Sequence, residues 1–165
     1  MLNNISSKEI ASWKKFYEND LQTVALDFID VLEAPALIIL EGDLGAGKTT
    51  FTKCFAQNYL ASSSDMLGID EITSPTYSLI NEFGSLAHAD FYRIEDPDEL
   101  VHLEIELYLE EKEFFLVEWG MKYYDFLSAH IPDGWSIYLA KFQQNPLKEG
   151  VDKASRNLSL ELISR

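Results

Sequence analysis

The sequence predicts a layered α/β domain with a mainly parallel central sheet and some antiparallel strands. Two strand-length runs, at 36–41 and 114–119, are almost wholly apolar, as strands covered on both faces must be. Helical periodicities lie between and around such runs, so strands alternate with helices along the chain. No internal repeat and no linker divides the 165 residues, which are read as one domain over 1–165.

Leu21, Val24, Ala25, Phe28 and Leu32 fall on one helical face, with Asn19 or Asp20 available as N-cap. The apolar run Ala36–Glu41 follows as a buried strand, 42–47 interrupts it, and Lys48–Leu60 reads as a helix turning Phe51, Phe55 and Leu60 inward. Residues 61–64 form a loop. Residues 77–83 and 86–91 are strands joined through Gly84-Ser85 in a hairpin. Asp96-Pro97-Asp98-Glu99 opens a helix, with a cap, Pro in the first turn and Glu three residues after the cap. Residues 114–119 form the second buried strand, and 135–142 and 157–163 are late strands. The periodicity of 9–17 fits strand or helix equally.

Composition narrows the class further. Apolar residues make up 47% of the chain, with ten Phe and eight Tyr, which excludes a disordered protein. No apolar run reaches the roughly 18–20 residues of a membrane span, and the first ten residues lack a secretory pattern. The single Cys, Cys54, has no internal partner and fits a reducing cytoplasm; on a helix it reads as a small buried hydrophobe. Thirteen Lys and Arg against 28 Asp and Glu leave a net charge of −15. Holding RNA or DNA depends on basic side chains that neutralise phosphates. The chain is therefore a poor candidate to hold nucleic acid by itself, and a basic protein partner suits this surface.

Gly42-Asp43-Leu44-Gly45-Ala46-Gly47-Lys48-Thr49 satisfies G-x-x-x-x-G-K-[ST] in full, after a buried strand and before a helix. Its glycines permit backbone angles that turn N–H groups inward as an anion nest, and the helix adds its unpaired N–H groups and positive dipole end. Lys48 reaches the β- and γ-phosphates and the Thr49 hydroxyl ligates magnesium. The class is a P-loop NTPase-like three-layer domain that binds ATP or a close relative with magnesium.

Acidic partners for such a site are sought at strand ends. Glu118 closes the second apolar strand, the Walker B pattern with Glu, and is assigned to magnesium directly or through water, the alternative being an ordinary solvated Glu at a strand end. Asp90 ends another strand and either orients water or a metal-bound water, or caps a turn. His88 is read as a satisfied core histidine, with catalysis the alternative. Thr76, in Thr73-Ser74-Pro75-Thr76-Tyr77, is a γ-phosphate switch candidate in what is otherwise a Pro turn. Glu104, Glu106, Glu110, Glu111 and Glu113 form a solvated acidic face.

Taken together, the 42–50 loop, Ser-Pro-Thr-Tyr at 74–77, His-Ala-Asp-Phe-Tyr-Arg at 88–93 and Val-Glu-Trp-Gly at 117–120 resemble the bacterial TsaE (YjeE) family. These are small ATPases of tRNA threonylcarbamoyladenosine (t6A) modification. The resemblance spans roughly 20 to 142; residues 1–19 and 143–154 fall outside it. It implies that Gly45, Ala46, Gly47, Lys48, Thr49 and Thr50 hold the phosphates, Thr49 and Glu118 the magnesium, and that Lys48, Asp90, Glu118 and Thr76 serve hydrolysis. It places Trp119 near the nucleotide, Thr23 near the base and Arg156 as a possible C-terminal nucleotide neighbour. It also implies a TsaD-like transferase and a TsaB-like companion as the partners that carry tRNA. Three other readings compete: a small-molecule kinase, for which no basic lid segment exists; a GTPase switch, supported only by Asp65-Met66-Leu67-Gly68 and lacking N-K-x-D; and a module using ATP as a structural ligand.

Overall fold

The computed structural model describes residues 6–61, 79–147 and 153–164. In chain order the elements are β1 (Lys8–Phe16), a 3-10 turn (Glu18–Asp20), α1 (Leu21–Asp30), β2 (Ala36–Glu41), α2 (Lys48–Leu60), β3 (Ile80–Phe83), β4 (Leu86–Asp90), α3 (Asp98–Val101), α4 (Ile105–Leu109), β5 (Phe114–Glu118), a second 3-10 turn (Gly120–Tyr123), α5 (Tyr124–His130), β6 (Ser136–Gln144) and β7 (Arg156–Ser164). The strands form one seven-stranded sheet in the order β1-β7-β6-β2-β5-β4-β3. The four central strands, β6, β2, β5 and β4, are mutually parallel. The outer pairings β1–β7, β6–β7 and β3–β4 are antiparallel.

Strand alternation explains the layering. Ala36, Ile38 and Leu40 of β2, with Phe114 and Leu116 of β5, pack into a core that includes Phe28 of α1 and Phe51 and Phe55 of α2. Leu37 and Ile39, with Phe115 and Val117, face the opposite way, against Leu100, Ile105, Leu109 and Leu127 around α3–α5. Both central strands are buried on both faces, which is why they read as unbroken apolar runs. The result is a three-layer α/β arrangement, as expected. Among the described residues no helix is long and apolar enough to cross a membrane.

Three local expectations change. The undecided segment at 9–17 is a strand: β1 pairs only at the edge, with β7, so its exposure pattern carries little periodicity. Asp20 stands just before α1, but its carboxylate accepts the N–H of Tyr17 at 2.8 Å, closing the 3-10 turn rather than capping the helix. At 96–99 the cap forms as read. Asp96 accepts the N–H of Asp98 at 3.0 Å, and Glu99 reaches back to the N–H of Asp96 at 3.1 Å. The helix it opens lasts one turn, because Glu104 adopts φ 45° and starts α4 in a new direction. The Gly84-Ser85 hairpin joins β3 to β4, with Gly84 at φ 52°. The five glutamates of the acidic face are all exposed, and Cys54 is half-buried, its thiol pushed up by desolvation.

Candidate functional site

Parallel strands bring their carboxyl ends to one edge of the sheet, where ligands of α/β proteins collect. Here that edge carries three carboxylates. Leu40 and Asp90 are both register partners of Glu118, so Asp90 and Glu118 end adjacent strands at one level and Glu41 stands one residue beyond it on the third. The loop between β2 and α2 arches over this edge and borders a cleft of about 530 Å³, a volume suited to a small ligand. Gly45, Gly47, Lys48, Thr49, Thr50, Asp90, Glu118 and Trp119 all line it.

Two glycines make the loop possible. Gly42 has φ 149°, and a Cβ there would lie 2.6 Å from the carbonyl oxygen of Phe142 on β6. Gly47, immediately before α2, has φ 104°. Gly42→Ala therefore has to lift the loop off β6, against a backbone angle that L residues rarely adopt. We expect it to destabilise the protein by about 1–3 kcal/mol and to weaken ligand binding at the cleft. Thermal unfolding and a nucleotide titration of the same variant check both effects.

Lys48 begins α2 and is only 4% exposed. Its ammonium donates to the carbonyls of Gly42 at 2.7 Å and Asp43 at 3.1 Å, and lies 4.1 Å from the centroid of the Trp119 ring. Burial pushes the Lys48 ammonium below its ordinary range, although Glu118, Glu41, Asp90 and Asp43 all favour its charge. Burial likewise pushes the Glu41 carboxyl up, opposed by the Met121 N–H it accepts at 3.0 Å and by Lys48. The cleft floor thus holds a cation amid carboxylates in a poorly solvated place, and an added anion meets one concentrated positive centre there.

Thr49 and Glu118 meet directly: the hydroxyl donates to Oε1 at 2.7 Å. These are two hard oxygen donors side by side, the chemistry magnesium takes. Among the described residues no group of three or more His, Cys, Asp or Glu is arranged to hold a metal. Asp90 accepts the N–H of Tyr92 at 3.0 Å through one oxygen and faces the cleft. Trp119 follows β5 with φ 60°, a left-handed turn that swings its ring over the cleft, 5.2 Å from Tyr92.

Other sequence-derived candidates fare differently. Ala46 is buried and takes part through its carbonyl, which accepts Nε of Arg156 at 3.1 Å. Thr23 sits in the first turn of α1, exposed and off the cleft wall, where Glu18 and Leu21 stand instead. The 3-10 turn before α1 supplies Glu18 and the first residue of α1 supplies Leu21, and no periodicity signal reveals such a turn. Thr76, with its Ser-Pro-Thr-Tyr segment, and the Asp65-Met66-Leu67-Gly68 stretch lie outside the described residues. His88 is a core histidine, as read from sequence, 1% exposed; it is satisfied at one nitrogen, its Nε2 lying 3.1 Å from Glu118 Oε1, while Nδ1 has no partner among the described residues. Leu44, Tyr92 and Arg93 also line the cleft; they lie within the 42–49 and 88–93 motifs, and that membership was the signal that could have marked them.

A phosphate loop between a buried strand and a helix, with carboxylates at the ends of neighbouring parallel strands, defines a P-loop NTPase-like α/β protein. A family model described as "Threonylcarbamoyl adenosine biosynthesis protein TsaE" matches residues 17–147. The chain belongs to the TsaE family. It is 44% identical over 89 residues to the tRNA threonylcarbamoyladenosine biosynthesis protein TsaE of Bacillus subtilis, a match covering 51% of this chain and 50% of that protein. The protein of the same name from Haemophilus influenzae is 35% identical over 94 residues, covering 54% and 55%. That from Nostoc is 40% identical over 100 residues, covering 55% and 56%. The chain thus spans about half the length of these relatives. The crystal structure of Bacillus subtilis YdiB superimposes with a TM-score of 0.54 at 25% identity, covering 98% of this chain and 90% of that one.

Proposed function

We propose that this protein is a magnesium-dependent ATPase that serves t6A modification of tRNA, acting with a TsaD-like transferase and a TsaB-like companion in the cytoplasm. The observation that carries the reading is the meeting of Lys48, Thr49, Asp90 and Glu118 around one cleft at the carboxyl edge of the sheet. In it, the backbone of 45–50 and Lys48 hold the phosphates, and Thr49 and Glu118 hold magnesium. When bound, that ion neutralises phosphate charge at the reacting end of the nucleotide. Asp90 orients the attacking water, Trp119 lies beside the nucleotide, and Thr76 senses the γ-phosphate. Thr23 has the weakest geometric support of the candidate nucleotide contacts, because it lies off the cleft wall. The family name supports the pathway, and the charge of −15 supports a division of labour in which partners grip the tRNA.

The deciding experiment measures phosphate release from ATP by the full chain, with and without the TsaB–TsaD pair. Slow turnover alone and clear stimulation by the pair are expected: of the two arginines that border the cleft among the described residues, Arg156 is tied to the loop carbonyl of Ala46 and Arg93 is exposed. Asp90→Ala and Glu118→Ala should each slow the stimulated rate at least about 10-fold. Unchanged rates in either variant would remove the catalytic assignment. Phosphate transferred to an added metabolite would replace the reading with a kinase.

A further inference from the structure

A polar residue stands where the apolar face of β4 runs out. Alternation puts Leu86, His88 and Asp90 on one face of β4, and Leu86 packs there in the core shared with α2. His88 is buried beneath the cleft. Its Nε2 lies 3.1 Å from Oε1 of Glu118, the same oxygen that accepts the Thr49 hydroxyl at 2.7 Å. Its Nδ1 is buried with no hydrogen-bond partner among the described residues.

This asymmetry assigns the tautomer. A buried N–H without an acceptor is costly, more so than an idle acceptor nitrogen. A proton on Nε2 is donated to the carboxylate. A proton on Nδ1 would be stranded, and the Nε2 lone pair would face a carboxylate oxygen at 3.1 Å.

The geometry points to His88 as a positioning residue: its Nε2–H holds the Glu118 carboxylate in the orientation the magnesium–nucleotide site needs. This rests on the nucleotide reading proposed above. Two donors share Oε1, but they differ in what they are tied to. Thr49 belongs to the first turn of α2 and moves with the phosphate loop. His88 donates from the neighbouring strand, so the carboxylate keeps its orientation whatever the loop does. An outer hydrogen bond of this kind tunes metal affinity through the ligand it orients.

Two replacements separate the hydrogen bond from packing. His88→Gln retains an N–H donor at comparable reach, whereas His88→Leu fills the space without one. The change in tryptophan fluorescence follows ATP binding as magnesium is titrated, Trp119 being the one of the three tryptophans that lines the cleft. His88→Leu should raise the half-saturating magnesium concentration about 10-fold, leave ATP binding in EDTA unchanged, and be rescued by Gln to within about 3-fold of wild type. A Leu variant that titrates like wild type overturns the inference, as does a Gln variant no better than Leu.

Because His88 is buried, a second measurement uses the unaltered protein. Imidazole nitrogen NMR of the three histidines, with His88 assigned by loss of its signals in His88→Gln, should show the Nε2–H form. The Nδ1–H form would overturn the proposal. A wild-type protein with no magnesium-dependent ATP response removes the nucleotide reading and this inference together. A normal wild-type response beside an unaffected Leu variant removes this inference alone.

Discussion

Lys48→Ala is expected to lower affinity for magnesium-ATP at least about 100-fold, equivalent to about 2.8 kcal/mol, and to abolish partner-stimulated hydrolysis. Lys48 is the cation held among Glu118, Glu41, Asp90 and Asp43. Without it, a triphosphate entering the cleft meets these carboxylates with no compensating side chain on the floor. The carbonyls of Gly42 and Asp43 also lose the donor that draws them together. Lys48→Arg is not expected to rescue binding. A guanidinium is bulkier than the 4% exposed niche allows, and its planar fork does not match two carbonyls and an aromatic face. Equilibrium titration of Trp119 fluorescence, with the fold checked by circular dichroism, measures the effect. Retention of wild-type affinity in Lys48→Ala would refute the phosphate-site assignment.

Phe28→Ala is the largest expected loss of stability, about 3–5 kcal/mol. That is a large share of the roughly 5–15 kcal/mol typical of a domain. Phe28 has no exposed surface, and its ring meets Trp13 of β1 at 5.5 Å, Phe51 at 4.9 Å and Phe55 at 6.2 Å. It therefore links β1, α1 and α2 beneath the helix that begins with Lys48. Deletion of the ring leaves a cavity among rigid aromatics that cannot collapse cheaply. Denaturant unfolding should show a large fall in midpoint with little change in slope. A shift worth under about 1 kcal/mol would mean that the aromatic cluster contributes far less than its burial suggests.

The two effects separate what the amino-acid sequence reveals from what it hides. Lys48, the strand before it and the helix after it were readable because the phosphate loop is local: one short segment specifies its own turn, helix start and cation. β2 and β5 were readable because burial on both faces leaves no polar residues to confuse the pattern. The hairpin at Gly84-Ser85 was readable for the same local reason. β1 was not, since an exposed edge strand gains its identity from β7, far along the chain. The core position of His88 was readable but its partner was not, because Glu118 lies thirty residues away and only the register of β4 on β5 brings them together. The wall formed by Glu18 and Leu21 escaped notice because Glu18 sits in a 3-10 turn that carries no periodicity and Leu21 reads only as a core position of α1.

The sheet order bears on when, during synthesis, the phosphate loop becomes competent. β2 precedes both of its sheet neighbours: β5 is made later, and β6 later still. The carbonyl of Ala46 is held by Arg156, 110 residues further on. A nascent chain that has already delivered the whole phosphate motif therefore has neither flank of its strand nor the anchor of its loop. Such a strand, apolar on both faces, awaits distant partners, and long-range pairing of this kind is slow to form. The phosphate loop therefore gains both flanks of its strand and its anchor only after Arg156 has been made, and until then an apolar strand without its sheet neighbours is open to aggregation.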